Sequence, residues 1–295
     1  MTKHQLLRLA RGGALSIVLF SGACFKSKKP VTVGSKSTTA QAVMAEIVAQ
    51  HLEHQLGRKV ERKISLGNTE VVYQALTGGE IGIYMDETQT IQASVLKEPP
   101  TSDPSASLER VRLEMKRLAQ VEVFDPLGID NKWAIVVPKD KGVATLSEAA
   151  AQAKPGWRLG STRTFSERSD GLTLLNPYKL PMGAPPRTAD PGTLYSDLEK
   201  GDLTMVAGNV TDGALERHSD WVVLTDDKKV FSPYQSCLFA RMDLLESDPK
   251  IRASLAALSG KFSVEKLRKL NVSVEFDHKT ISDVAAEFLA QAGLK

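Results

Sequence analysis

Residues 33–90 read VGSKSTTAQAVMAEIVAQHLEHQLGRKVERKISLGNTEVVYQALTGGEIGIYMDETQT, and the fold follows from how that stretch is punctuated. A short apolar run, residues 31–33, leads into Gly34-Ser35-Lys36, a loop that opens a helix. Thr38 or Thr39 can cap that helix, Val43, Met44, Ile47, Val48, Leu52 and Leu56 recur at helical spacing, and Gly57 stops it. Residues 60–66 alternate apolar with polar side chains, as a strand with one buried face does. Asn68 or Thr69 caps a second helix through Ala75 and Leu76, Gly78-Gly79 ends it, and residues 81–85 form the next buried strand. Strand–helix alternation with short links predicts an α/β sheet of mostly parallel strands.

Outward from this stretch, residues 98–108 (EPPTSDPSASL) are a loop by composition, and residues 109–120 a charged surface helix. Residues 127–137 enter a strongly apolar strand. A helix over 145–153, a strand over 157–160, a loop leading into a helix over 164–175, a helix starting at 194–198 and strands over 203–207 and 221–224 follow. The chain returns through Phe231-Ser232-Pro233-Tyr234, and from Leu238 onward the signals are helical: 249–258, 264–270 and 281–292, the last closed by Gly293.

The N-terminus has another character. Lys3, Arg8 and Arg11 precede an uncharged run, residues 12–23, that ends on small residues before Cys24. This is the anatomy of an export signal, and the run is shorter than the roughly 20 residues a spanning helix needs. Small residues before a cysteine resemble a bacterial lipobox, with Ser21 where Leu is usual. Residues 1–23 are therefore expected to be a lipoprotein-type signal, Cys24 the lipidated N-terminus, and residues 24–30 a tether between the lipid and the folded body. Cys237 is then left without a disulfide partner, so the exported body must be held by its core; about 270 residues suffice for that and for two domains. Without Lys3, Arg8 and Arg11, the 38 basic residues match the 35 acidic ones, and nucleic-acid binding has no support in composition. The chain has no Gly-x-Ser-x-Gly elbow, no His-Glu-x-x-His and no phosphate loop, which leaves enzymatic chemistry without a motif. His51 and His54, one helical turn apart, are expected on a solvated face, and neither a metal nor a cofactor is expected.

Across nearly the whole body the chain resembles the substrate-binding proteins of ABC importers that capture glycine betaine, choline and related quaternary ammonium solutes. The resemblance is carried by residues 33–90 and, in family order, by FSERSDG (165–171), NVTDGALE (209–216), TDDKKVFSPY (225–234) and KLNVSV (269–274). It implies a two-lobed, type II periplasmic-binding-protein-like fold: two mostly parallel sheets flanked by helices, joined by two crossovers. Lobe I would comprise residues 31–131 with 236–295, and lobe II residues 132–235. It also implies a monomer that closes on a small cationic or zwitterionic solute and passes it to a membrane permease driven by an ATPase. A sensory domain of the same fold is the alternative.

In the family, aromatic side chains box the quaternary head, while a lysine, an arginine and a threonine hold a carboxylate. A trimethylammonium has no N–H to donate, so π faces and dispersion must hold it, at roughly 0.5–2 kcal/mol per contact; a carboxylate suits a guanidinium fork. Carried over by position, Lys36, Arg168 and Thr90 match the carboxylate group, and Trp133 and Tyr234 match two box aromatics. Two positions depart. The family's Tyr-Pro-Glu-Tyr-Thr-Gly-Thr is here Tyr84-Met85-Asp86-Glu87-Thr88-Gln89-Thr90, which puts Glu87 at an aromatic position, and Asn209 stands at another. Asn131 falls where a backbone carbonyl would approach the cation. A buried Glu87 needs a positive partner, either the solute or Lys36. Tyr73, Tyr178, Tyr195, Trp157 and Trp221 are expected in cores or on the surface.

Overall fold

The computed structural model describes residues 29–99, 101–152 and 156–295. The expected signal, Cys24 and most of the tether lie outside the described residues.

The first strands are β1 (Thr32–Gly34), β2 (Glu61–Lys63), β3 (Ile83–Glu87) and β4 (Val121–Val123). The chain then builds a second sheet from β5 (Trp133–Pro138), β6 (Leu159–Ser161), β7 (Arg187–Thr188), β8 (Met205–Asn209) and β9 (Trp221–Val223). It returns as β10 (Ser236–Arg241), which lies inside the first sheet. The strand orders are β2-β1-β3-β10-β4 and β7-β6-β8-β5-β9. The two-sheet α/β architecture is as expected, and in each sheet four of the five strands run the same way. β1 runs parallel to β2 and β3, and β6 to β7 and β8, while β10 and β5 are antiparallel to both of their neighbours. The reason is the route of the chain. Strands linked by a helix on one sheet come out parallel, whereas β5 and β10 arrive from the other sheet and enter from the opposite end.

β10 is also an element that the sequence reading missed, by taking the chain as helical from Leu238. Its residues divide between two cores: Leu238 and Ala240 join Val33, Ile83 and Met85 on one face, and Cys237 and Phe239 join Tyr84, Val121 and Val123 on the other. A strand buried on both faces shows no alternation of polarity. The second sheet is sandwiched likewise, with Trp133, Ile135 and Val137 on one side and Ala134 and Val136 on the other.

The helices begin where capping chemistry places them. Thr38 accepts from the Gln41 N–H at the head of helix Thr39–Leu56, and Gly57 ends it at φ 62°. Asn68 caps Thr69–Thr77, and Thr145 with Glu148 forms a capping box at Leu146–Ala151. The segment read as a loop over 98–108 is corrected in its second half. Asp103 accepts from the N–H groups of Ser105 and Ala106 and starts helix Pro104–Ala119 with proline in its first turn, four residues before the loop was expected to end. His51 is corrected too: it is buried, with ring nitrogens 2.8 Å from the Leu294 carbonyl and 3.0 Å from that of Ser254, pinning the helix to the C-terminal segment. No helix among the described residues is long and apolar enough to cross a membrane.

Candidate functional site

All seven residues singled out from sequence, Lys36, Glu87, Thr90, Trp133, Arg168, Asn209 and Tyr234, line one cleft of about 1240 Å³ between the two sheets. Lys36 follows β1, Glu87 ends β3, and Thr90 lies in the short helix after it, so the edge of the first sheet builds one wall. Trp133 and Asn209 are register partners on β5 and β8 of the second sheet. Arg168 follows helix Arg163–Glu167, and Tyr234 precedes β10 at the return between sheets.

On the first wall, the Lys36 ammonium lies 2.6 Å from Asp86 Oδ1 and 2.9 Å from Glu87 Oε2. Glu87 Oε1 also accepts from Gln41 Nε2 (3.4 Å) and Asn131 Nδ2 (3.2 Å). Of the two ways to neutralise a buried Glu87, the molecule uses its own lysine. Burial pushes Asp86 up to about 7, reinforced by the Glu87 charge and opposed by Lys36. Burial works against Glu87 as well, but the Lys36 charge, with hydrogen bonds from Asp86, Lys36 and Asn131, holds it down at about 2. For Lys36, burial opposes the charge, and the two carboxylates outweigh it and raise its pKa. Two adjacent buried carboxylates sharing one ammonium hold a proton more tightly than either would alone.

The second wall is aromatic and clamped. The Trp133 ring meets Phe165 edge-on at 5.0 Å and Tyr234 at 6.2 Å between centroids. Arg168 Cζ sits 5.9 Å from the Trp133 centroid. Asp170, fully buried, grips Arg168 through Nε (2.7 Å) and Nη2 and accepts from the Tyr234 hydroxyl at 2.6 Å. Burial and the Asp170 charge both raise the Tyr234 phenol. Arg168 reaches across the cleft, both Nη atoms standing 3.4 Å from Thr90 Oγ1. Asp212 accepts from the Asn209 N–H (2.9 Å) and the Tyr195 hydroxyl (2.7 Å), and a Cβ at Gly208 would collide with both partners of the latter bond.

Several residues in or behind the cleft lie outside that set of seven. Asp86 could have been found, since it stands beside Glu87 at the end of an apolar strand. Asp170, two residues from Arg168, is its carboxylate partner, while Glu167 lies 3.8 Å from Arg163. Asn131 acts through its side chain, binding Glu87 and accepting from Thr211 Oγ1 at 2.6 Å, not only through the backbone. Tyr195, expected in a core or on the surface, lines the cleft with its ring stacked on Trp221. Tyr84 is buried against Phe239, so the residue at the cleft position is Glu87 and not the nearby tyrosine. No cluster of three or more potential metal ligands occurs among the described residues.

Residues 29–291 match the family described as the substrate-binding domain of ABC-type glycine betaine transport systems. The carnitine transport binding protein OpuCC of Listeria monocytogenes is 27% identical, covering 97% of this chain and 94% of its own. The glycine-betaine-binding protein of Pseudomonas aeruginosa is 24% identical over 96% and 94%. Among solved structures, a glycine betaine/carnitine/choline ABC transporter protein superposes with a TM-score of 0.78 at 26% identity, over 90% of this chain and 99% of that one.

Proposed function

The chain belongs to the substrate-binding domain family of ABC-type glycine betaine transport systems, and from that premise we propose that its cleft captures a small cationic or zwitterionic solute and hands it to a permease and its ATPase. The lobes of this reading are residues 31–131 with 236–295 and residues 132–235. The observation that carries it is the meeting of the two walls: Arg168 of one faces Thr90 of the other across the cleft that Trp133, Tyr234 and Glu87 also line. A solute touching both walls favours the closed arrangement by the difference in its affinity for the two states, and no covalent step is involved.

Calorimetry of the protein with glycine betaine, choline, carnitine and amine-bearing amino acids is expected to find a solute bound with a Kd of about 1 μM or tighter, near −8 kcal/mol. Small-angle scattering with the same solute is expected to show a smaller radius of gyration. Binding by none of them, or binding without compaction, overturns the proposal.

The reading extends to the N-terminus, where we place export and lipid attachment at Cys24. Cells fed labelled palmitate should incorporate label into the chain, and Cys24→Ser should abolish incorporation and release the protein from membranes. Label retained by the variant would refute this assignment.

A further inference from the structure

The charges of the cleft contradict those of the chain. The whole sequence has a formal net charge of +3. Among the described residues, however, the cleft is lined by six carboxylates, Glu70, Glu87, Glu167, Glu199, Asp212 and Glu275, against two lysines and one arginine, Lys36, Lys97 and Arg168, with His218 beside them. Lys36 is paired with Asp86 behind the lining, as well as with Glu87 in it, and Arg168 with Asp170 behind it. A net-neutral zwitterion would leave this negative potential uncompensated, whereas a net-positive solute is drawn to it.

A second, independent feature concerns hydrogen bonding. Gln41 and Asn271 line the cleft and are buried, at 3% and 2% exposure. Gln41 donates its amide N–H to Glu87, and Asn271 donates its own to the Thr211 carbonyl at 2.9 Å. Those donations orient the amides so that Gln41 Oε1 and Asn271 Oδ1 remain as acceptors; neither has a partner among the described residues, and both are closed to solvent, so a donor reaches them by shifting the side chains towards the cleft. A buried acceptor calls for a donor. A quaternary ammonium group cannot supply one; a primary or secondary amine, a guanidinium or an amidinium can. Glu87 adds a charged acceptor on the cleft wall, oriented by Lys36, Gln41 and Asn131. Between the two walls, the Arg168 Nη atoms touch Thr90 only at 3.4 Å, which leaves N–H groups for an oxygen of the solute.

We propose that the solute is a net-positive cation bearing N–H donors, with Glu87 and Gln41 as the residues that select it over a quaternary ammonium. This deepens the solute-binding reading and rests on it. In place of the aromatic that the resemblance puts at position 87, the chain carries an acceptor, so recognition passes from dispersion and π faces to directed hydrogen bonds.

The test is a ranking on the unaltered full chain by calorimetry, with arginine, lysine and agmatine in one series and choline, glycine betaine and carnitine in the other. The tightest member of the first series should bind at least tenfold more strongly than any member of the second. Glu87→Gln and Gln41→Leu, each checked for an intact melting transition, should weaken that member tenfold or more, and by a larger factor than they weaken choline. A quaternary solute that ranks first, or N–H cations indifferent to both substitutions, overturns the inference and leaves the solute-binding reading standing. Absence of binding in both series overturns the solute-binding reading and the inference with it. The ranking needs no variant, so it decides even where a substitution prevents folding.

Discussion

Lys36→Met is expected to destabilise the protein by about 3–5 kcal/mol near pH 8, the usual cost of leaving a buried charge without its partner. For a chain of this size that is a fall in melting temperature of about 6–20 °C. Lys36 holds Asp86 and Glu87 together, and both carboxylates are almost fully buried. Without the ammonium, burial and mutual repulsion raise both carboxyl groups. A carboxyl whose folded pKa is raised gives stability that is full below its unfolded value and is lost as pH rises through the folded one. The deficit of the variant should therefore shrink towards pH 5, where both groups are protonated, and grow through neutrality. Asp86 in the unaltered protein, already at about 7, sets where that growth begins. Thermal melts of both proteins at pH 5 and pH 8 check this. Equal melting temperatures at pH 8, or a deficit of the same size at both, would show that the triad does not carry the load assigned to it.

Asp170→Ala should produce the largest loss in binding. Asp170 touches no solvent, yet it fixes two cleft residues at once: the Arg168 guanidinium and the Tyr234 hydroxyl. Its removal leaves an uncompensated positive charge on Arg168 and frees the ring that packs on Trp133. Truncating one partner of a buried charge pair costs roughly 2–5 kcal/mol, an affinity loss from about thirtyfold to beyond a thousandfold for whichever solute binds tightest. Calorimetry on Asp170→Ala, Arg168→Ala and the double variant separates the terms. Part of the loss should return in the double variant, because the orphaned charge has gone. An Asp170→Ala protein that binds within threefold of the original would remove Asp170 from the account.

How far the sequence reaches can be judged on these same residues. The caps at Thr38, Asn68 and Thr145 and the stop at Gly57 are local chemistry, and they place their helices correctly. Asp103-Pro104 is as strong a signal, but it lies inside a stretch whose composition reads as loop, and composition prevailed over the cap. β10 was not legible because burial on both faces erases the polarity pattern that marks a strand. Within the cleft, position relative to a family pattern located seven lining residues, and it found Glu87 as an anomaly. What Glu87 does depends on Lys36, Gln41 and Asn131, and those partners converge only through tertiary structure. Sequence separation hid the last two, since Gln41 and Asn131 stand on opposite sides of Glu87 in the chain and more than a helix away. Asp170 shows the opposite case, two residues from Arg168 and open to reading as either a partner or a bystander.

The placement of β10 also bears on the order in which the molecule can assemble. β4 pairs only with β10, and β10 separates β4 from β3. A chain delivered N-terminus first thus presents β1 to β4 while the strand that must join them is still about 110 residues away, a long loop to close. The second sheet has no such dependence, because β5 to β9 are contiguous in sequence. It can form first and stand as a finished unit while the first sheet waits, half paired, for its centre to arrive. Until residue 241 has emerged, the edges of β3 and β4 lie open, so the most aggregation-prone interval in the life of this protein falls late in its delivery.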